Sequence, residues 1–326
     1  MKSEIRKKLI DAFQKANGGY VSGQVLAKAI GCSRTAVWKH IEDLRKEGFK
    51  LEAVQKKGYR LIHTPSVLTE EEILLGLETE KIGRSIFMYD SIPSTQKIAQ
   101  ELAPTVEEGT IVIAEEQTLG RGRLDRQWYS PKGTGVWMTL VIKPNIPIQQ
   151  APQLTLLTAV AVVQAIEAIS GLLPTIKWPN DILLNGKKVC GILTEMEADS
   201  DRIQNIFIGT GVNVNEKNFP NELRNKATSI AIETNKEMNR AEYIQQYCLA
   251  FEKLYHLYLQ QGFKPIKILW ESYSNSIGKS IVARTINKEF YGVAEGITDD
   301  GVLMLREQNG TIRYIYSADI EFSNEQ

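Results

Sequence analysis

Cysteine and histidine are scarce: three of each in 326 residues. Cys32, Cys190 and Cys248 are widely spaced, odd in number and free of any Cys-x-x-Cys arrangement. That excludes a disulfide framework and a zinc knuckle, and the three read as buried small residues in a reducing compartment. His40, His63 and His256 are scattered as well. No His/Cys nucleophile arrangement and no clustered metal-ligand spacing follows from them, so no resident metal site is expected. Nor is there an apolar run approaching the roughly 20 residues of a membrane helix. The first residues, "MKSEIRKKLIDAFQK", mix acids and bases among apolar side chains, unlike a signal-peptide core. A cytoplasmic protein without membrane contact is the expectation.

The formal net charge is zero, but it conceals an asymmetry. Residues 1–63 hold 14 Lys+Arg against 6 Asp+Glu, whereas the remainder holds 25 against 33. A basic module is therefore joined to a weakly acidic body. With 43% hydrophobic and 24% charged residues the composition is globular, and the length predicts two or three domains.

In the basic module Ile5, Leu9, Ile10 and Phe13 fall on one helical face, ended by "NGG" at 17–19. Ser22 is placed to cap a second helix carrying Val25, Leu26, Ala29 and Ile30. Gly31 permits a tight turn, and Ser33 caps a third helix with Val37, Ile41 and Leu44 inside. This is a helix-turn-helix pattern. Its third helix would offer Ser33, Arg34, Thr35, Trp38 and Lys39 to DNA. "KLEAVQKKGYRL" follows as a hairpin whose tip, Lys56 and Lys57, offers two cations to phosphates, which completes a winged helix. A plain helical bundle with a solvated basic face is the bland alternative. Further on, Thr69 and Glu72 have capping-box spacing, so a connecting helix begins there, just past a domain junction near residue 65.

The middle of the chain alternates strand-like and helical segments, which predicts a mixed α/β domain on a substantially antiparallel sheet. Strands are expected at "SIFMYD", "GTIVIAEEQ", "GTGVWMTLVIKP" and "RIQNIFIGTGVNVN", and a hairpin turns at Asn185-Gly186. "APQLTLLTAVAVVQAIEAISG" is a long apolar helix with the look of a core element.

Three segments carry chemistry. At "PSTQ", 93–96, Ser94 or Thr95 would cap a helix beside free N–H groups, an anion or carbonyl site or simply a cap. "GRGRLDRQWYSPKG", 120–133, sets arginines on flexible backbone, as a loop that closes over an anion would; a disordered or RNA-contacting loop has the same composition. Trp128 there could stack on a planar ring or belong to the core. In "KWPND…KKVCGIL", Asn180 and Asp181 could orient a phosphate or form an Asx turn, and Lys188 enters a buried strand, which requires an anion nearby.

These segments, in this order over essentially the full chain, resemble the bifunctional biotin protein ligase and biotin operon repressor family. The resemblance implies an α+β chain of three parts: a winged helix-turn-helix (1–64), a mixed α/β ligase domain (65–275) and a small SH3-like β barrel (276–326). It implies a biotin-binding set of Ser94, Thr95, Gln96, Gln117, Arg121, Gly122, Arg123 and Lys188, with Gln96 standing where the family's turn has Asn. Arg121, Arg123, Trp128, Asn180 and Asp181 would hold the adenylate, with Lys188 and Arg123 catalytic. Biotin and Mg2+-bound ATP would be the substrates. The acceptors would be biotin carboxyl carrier protein and other biotin-dependent carboxylases. Operator DNA would be bound by a homodimer carrying biotinyl-5′-AMP. A ligand sensor without activity, and a lipoate or other acyl ligase, are the competing readings.

Overall fold

The computed structural model describes residues 2–16, 18–46, 49–63, 68–199, 202–285 and 287–323, in two compact units, 1–76 and 77–326. Asn17 and the expected junction at 64–67 lie outside the described residues.

The first unit contains α1 (Lys2–Lys15), α2 (Gly23–Ile30), α3 (Arg34–Lys46), an antiparallel hairpin β1 (Lys50–Val54) and β2 (Gly58–His63), and α4 (Glu70–Leu75). Its starts are chemical. Ser22 accepts from the Val25 amide and Ser33 from the Ala36 amide, each at 3.2 Å, and Thr69 accepts from the Glu72 amide at 3.2 Å. Such caps satisfy amides that the first helical turn leaves without partners. Leu9, Ile10, Phe13, Leu26, Ile30, Val37, Ile41 and Leu44 form one core. Of the apolar residues on α2, Val25 and Ala29 are exposed. An eight-residue helix buries only a narrow stripe, here Leu26 and Ile30, with Ala27 partly covered.

The second unit is built on a seven-stranded sheet in the order β3-β4-β5-β9-β8-β7-β6. Its elements are β3 (Ile86–Ile92), α5 (Thr95–Leu102), β4 (Ile111–Gln117), β5 (Val136–Ile142), α6 (Ala151–Ser170), β6 (Thr175–Lys177), β7 (Asp181–Leu184), β8 (Lys187–Asp199) and β9 (Arg202–Val212). Among the described residues only β3 and β4, joined through α5, pair as parallel strands in this sheet, so the expectation of a largely antiparallel sheet holds. Asn185 and Gly186 turn the β7–β8 hairpin with φ of 49° and 77°. Two positive φ values are what the tightest hairpin turn requires.

Beyond the sheet come α7 (Ile230–Thr234), α8 (Arg240–Gln261) and α9 (Lys264–Tyr273). By length and composition the helical run 148–170 would suffice to cross a membrane, which corrects the reading that no run approaches that length. Here α6 packs against α8, α9 and β8, and thirteen of its side chains are buried in the unit's core. The aromatic stripe of α8, Tyr243, Tyr247, Phe251 and Tyr255, is core too. At its start, buried Arg240 forks onto both carboxylate oxygens of Glu115 in β4 at 2.8 and 3.1 Å. Cys190 and Cys248 are buried as expected, whereas Cys32 is half-buried.

The last elements, β10 (Ser280–Arg284), β11 (Glu289–Ile297), β12 (Leu303–Arg306), β13 (Ile312–Ile315) and β14 (Asp319–Phe322), form an antiparallel sheet in the order β13-β12-β11-β10-β14. Among the described residues β13 and β14 share no ladder, so the observed element is a five-stranded sheet.

Candidate active site

A cavity of about 340 Å³ opens against the large sheet beside the start of α5, and every expected ligand-contacting residue lines it. Ser94, Thr95 and Gln96 come from the start of α5, Gln117 from the end of β4, and Arg121, Gly122, Arg123 and Trp128 from the following loop. Asn180, Asp181 and Lys188 come from the approach to β7 and from β8. Chain segments nearly a hundred residues apart thus converge on one space.

The sheet makes that space by omitting side chains. A Cβ on Gly211 would lie 2.3 Å from Trp128 Nε1, one on Gly191 3.0 Å from Trp128 Cζ3, and one on Gly209 2.7 Å from Gln96 Oε1. Glycine on neighbouring strands β8 and β9 therefore lets the indole and the Gln96 amide lie against bare backbone. The Trp128 ring in turn sits under Lys188, whose Nζ is 5.1 Å from the ring centroid.

Protein partners hold the cations in place. Lys188 Nζ pairs with Asp181 Oδ1 at 2.6 Å. The sequence leaves both a functional and a structural role open for Lys188. The ion pair meets the electrostatic requirement of the second while leaving the ammonium in the cavity lining. Arg123 donates to Asn180 Oδ1 at 3.1 Å, to Ser317 Oγ at 2.9 Å and to the Ala318 carbonyl at 3.2 Å. Asn180 is itself anchored, its amide donating to the Ile192 carbonyl at 2.9 Å. Arg126 pairs with Asp319, and Arg121 lies 3.8 Å from Glu195. Bringing a polyanionic phosphate chain to these side chains would exchange such partners for stronger charge-assisted bonds.

The helix start at Ser94 departs from expectation. Ser94 makes no side-chain cap bond to α5, and the Thr95 amide is not free, because it donates to Gln117 Oε1 at 2.9 Å. This turn presents polar side chains instead of an open anion site. Burial drives the Cys190 thiol far above its usual range, and nearby Lys188 only partly opposes that. A neutral buried thiol is no nucleophile. Among the described residues no group of three or more His, Cys, Asp or Glu stands ready for a metal ion.

Several lining residues are not among those singled out from the sequence: Arg126, Asn213, Phe219, Leu223, Lys226 and Asp319. Arg126 is legible in principle, since it stands inside the Gly-Arg stretch. Asp319 is not, since nothing local marks a residue whose role comes from packing nearly two hundred residues away. In the first unit, Arg34, Thr35 and Lys56 border one cleft, and Ser33, Trp38, Lys39 and Lys57 are all exposed. Trp38, at 57% exposure, is an uncommon solvent-facing indole.

Comparison with known proteins fits this geometry. The Biotin/lipoate A/B protein ligase family model matches residues 88–213, an HTH domain model 6–60 and the Biotin protein ligase C terminal domain model 276–323. The Bifunctional ligase/repressor BirA of Bacillus subtilis (strain 168) is 55% identical over 324 residues, covering 98% of this chain and 99% of that protein. The chain belongs to the bifunctional biotin ligase–repressor family. The same-named protein of Escherichia coli (strain K12) is 29% identical, with 91% of each chain covered. Among solved structures, biotin protein ligase from Aquifex aeolicus in complex with biotin and ATP aligns at a TM-score of 0.66 with 26% identity, over 74% of this chain and 100% of that one. That likeness spans less of the chain than the bifunctional relatives do.

Proposed function

We propose that the cavity on the large sheet joins biotin to AMP and then delivers biotin to a lysine of an acceptor protein. As a family member the chain combines biotin–protein ligation with repression through its helix-turn-helix unit. The observation that carries the site assignment is the convergence of Arg123, Lys188, Trp128 and the Ser94–Gln96 turn on one cavity. In this reading 1–64 binds operator DNA, 65–275 is the ligase domain and 276–326 is a small SH3-like module.

Biotin's carboxylate attacks the α-phosphorus of ATP, a P–O bond to pyrophosphate breaks, and biotinyl-5′-AMP forms. The attacking oxygen and the phosphate are both anionic, so the barrier is largely electrostatic. Lys188 and Arg123 lower it by standing where negative charge gathers. Magnesium enters as the complex with ATP. The acceptor lysine, as its free amine, then attacks the carbonyl carbon of the mixed anhydride, and AMP leaves. No enzyme nucleophile takes part. Ser94, Thr95 and Gln117 hold the uncharged head of biotin, Gln96 braces that turn from behind, and Arg121 and Gly122 close over the tail. Trp128 lies against the adenine, and Asn180 and Asp181 orient Arg123 and Lys188. The Gly-Arg loop shields the anhydride from water. Acceptors are biotin carboxyl carrier proteins and other biotin-dependent carboxylases. With the adenylate bound, two copies form a homodimer that meets a two-fold operator in the cytoplasm through Ser33, Arg34, Thr35, Trp38, Lys39, Lys56 and Lys57. Biotin-dependent pyrophosphate–ATP exchange tests the enzymatic half. Exchange absent at saturating biotin and ATP leaves a sensor without activity.

A further inference from the structure

The floor of the cavity contains a hydrogen-bond chain whose proton directions can be read from its ends. Gln96 is buried, and its amide nitrogen donates to the Phe207 carbonyl at 3.1 Å and towards the Leu193 carbonyl at 3.4 Å. Carbonyl oxygens only accept, so these two contacts fix which end of the amide is nitrogen. Gln96 Oε1 is then an acceptor, and the fully buried Thr139 hydroxyl donates to it at 3.0 Å. A hydroxyl has one hydrogen. With that hydrogen committed, Thr139 Oγ1 can only accept from Thr95 Oγ1, 2.9 Å away. The other partner of Thr95 Oγ1, Gln117 Oε1 at 3.1 Å, is also an acceptor. Gln117 cannot turn its nitrogen there, because that nitrogen donates to Ser130 Oγ, whose own hydrogen goes to the Trp128 carbonyl.

Every protein group around the Thr95 hydroxyl therefore takes its hydrogen, and none supplies one. We infer that Gln96 and Thr139 are positioning residues that hold Thr95 Oγ1 as an obligate acceptor facing the cavity, so that this subsite selects a ring N–H and rejects a ring oxygen. The inference rests on the biotin reading and deepens it, since the cyclic urea of biotin carries two such N–H groups. A ligand oxygen in place of the facing N–H would meet a lone pair in a buried site, where an unpaired polar contact is most costly. It also gives Gln96 a role that a direct contact with biotin does not require: both ends of its amide are engaged by protein.

The test compares biotin with its two cyclic-carbamate analogues, in each of which one ring N–H is replaced by oxygen. Direct binding to the full-length protein is measured by calorimetry. Wild type should reject one regioisomer far more strongly, by up to about 10^4-fold, the scale on which sites built for an N–H reject its absence. In Gln96→Leu the Thr139 hydrogen is released to turn towards Thr95, which leaves Gln117 Oε1, already taken by the Thr95 amide, as the sole protein acceptor competing with a cavity ligand for the Thr95 hydrogen. The rejection of that regioisomer should fall at least tenfold, and the ratio for the other should stay put. Thr139→Val, nearly isosteric, should shift the same ratio, and Thr139→Ser should restore it, which keeps the test open if Gln96→Leu does not fold. An unchanged ratio in both variants, or equal weakening of all three ligands, overturns the relay. Wild type that binds none of the three overturns the biotin reading and the inference with it.

Discussion

Lys188 Nζ and Asp181 Oδ1 stand 2.6 Å apart in the wall of the cavity, on paired neighbours β8 and β7. The ion pair holds the ammonium in readiness, since a lysine stem without a partner would spread over many rotamers. Lys188→Ala should lower adenylate formation by about 10^2- to 10^3-fold, the usual loss when one charge-stabilising donor is removed. Asp181→Asn keeps the ammonium and should cost less. Biotin-dependent pyrophosphate–ATP exchange measures both, and equal losses would contradict this division of labour between ammonium and carboxylate.

Arg123 reaches from the Gly-Arg loop to Ser317 and Ala318, just before β14. Arg123→Ala removes both a phosphate partner and a tether of the loop. Pre-steady-state release of biotinyl-AMP from the enzyme should therefore rise, followed by rapid filtration with labelled biotin. Retention equal to wild type would show that the loop holds the intermediate by other means.

Gly211→Ala places a methyl where the Trp128 indole lies, 2.3 Å from Nε1. Backbone cannot yield there, so the ring must leave. The KM for ATP should rise at least roughly tenfold, the range of a lost aromatic contact with its packing. Gly191→Ala, at 3.0 Å from the same ring, should have a smaller effect.

Glu252 in α8 accepts from the backbone amides of Glu80, Lys81 and Ile82 at 2.7–2.9 Å. Burial raises its pKa, but those three amides, aided by His256, outweigh burial and hold the carboxyl below its ordinary value. A carboxyl lowered on folding stabilises the protein above its unfolded pKa, and the contribution fades as pH falls through the folded value. Glu252→Gln should cost about 2 kcal/mol at neutral pH, the scale of hydrogen bonds to a charged group. The gap between variant and wild type in urea midpoints should narrow below about pH 4.5, near the unfolded carboxylate value. A gap independent of pH would assign the loss to packing.

On the DNA side, Lys56 and Lys57 at the hairpin tip are exposed. Replacing either with Ala should weaken operator binding evenly across sequences and reduce the salt slope by about one. Removing residues 1–64 should abolish operator binding and leave ligation largely intact. Collapse of ligation would refute the modular reading.

Local features are legible in the sequence because their causes are local. Ser22, Ser33 and Thr69 each act within three residues, and Asn185-Gly186 acts within two. The ordered motifs locate every expected lining residue of the cavity. What stays hidden depends on pairings across the sheet. Thr139 is a lone hydroxyl in the apolar strand Val136–Ile142, a signal in itself, yet its meaning needs Gln96 and Thr95 beside it. Asp319 and Ser317 gain their roles only when β14 comes to rest near the Gly-Arg loop. Which apolar residues of α2 are buried stays hidden, because an eight-residue helix offers too few turns to distinguish a broad apolar face from a narrow one.

The bare backbone at Gly191, Gly209 and Gly211 separates catalysis from endurance in this fold. Larger residues there would be good strand formers and could leave the melting temperature near its present value, while evicting the indole or the Gln96 amide from its bed. Screens that score only soluble, heat-resistant protein would pass such variants, and an assay for growth on limiting biotin would reject them.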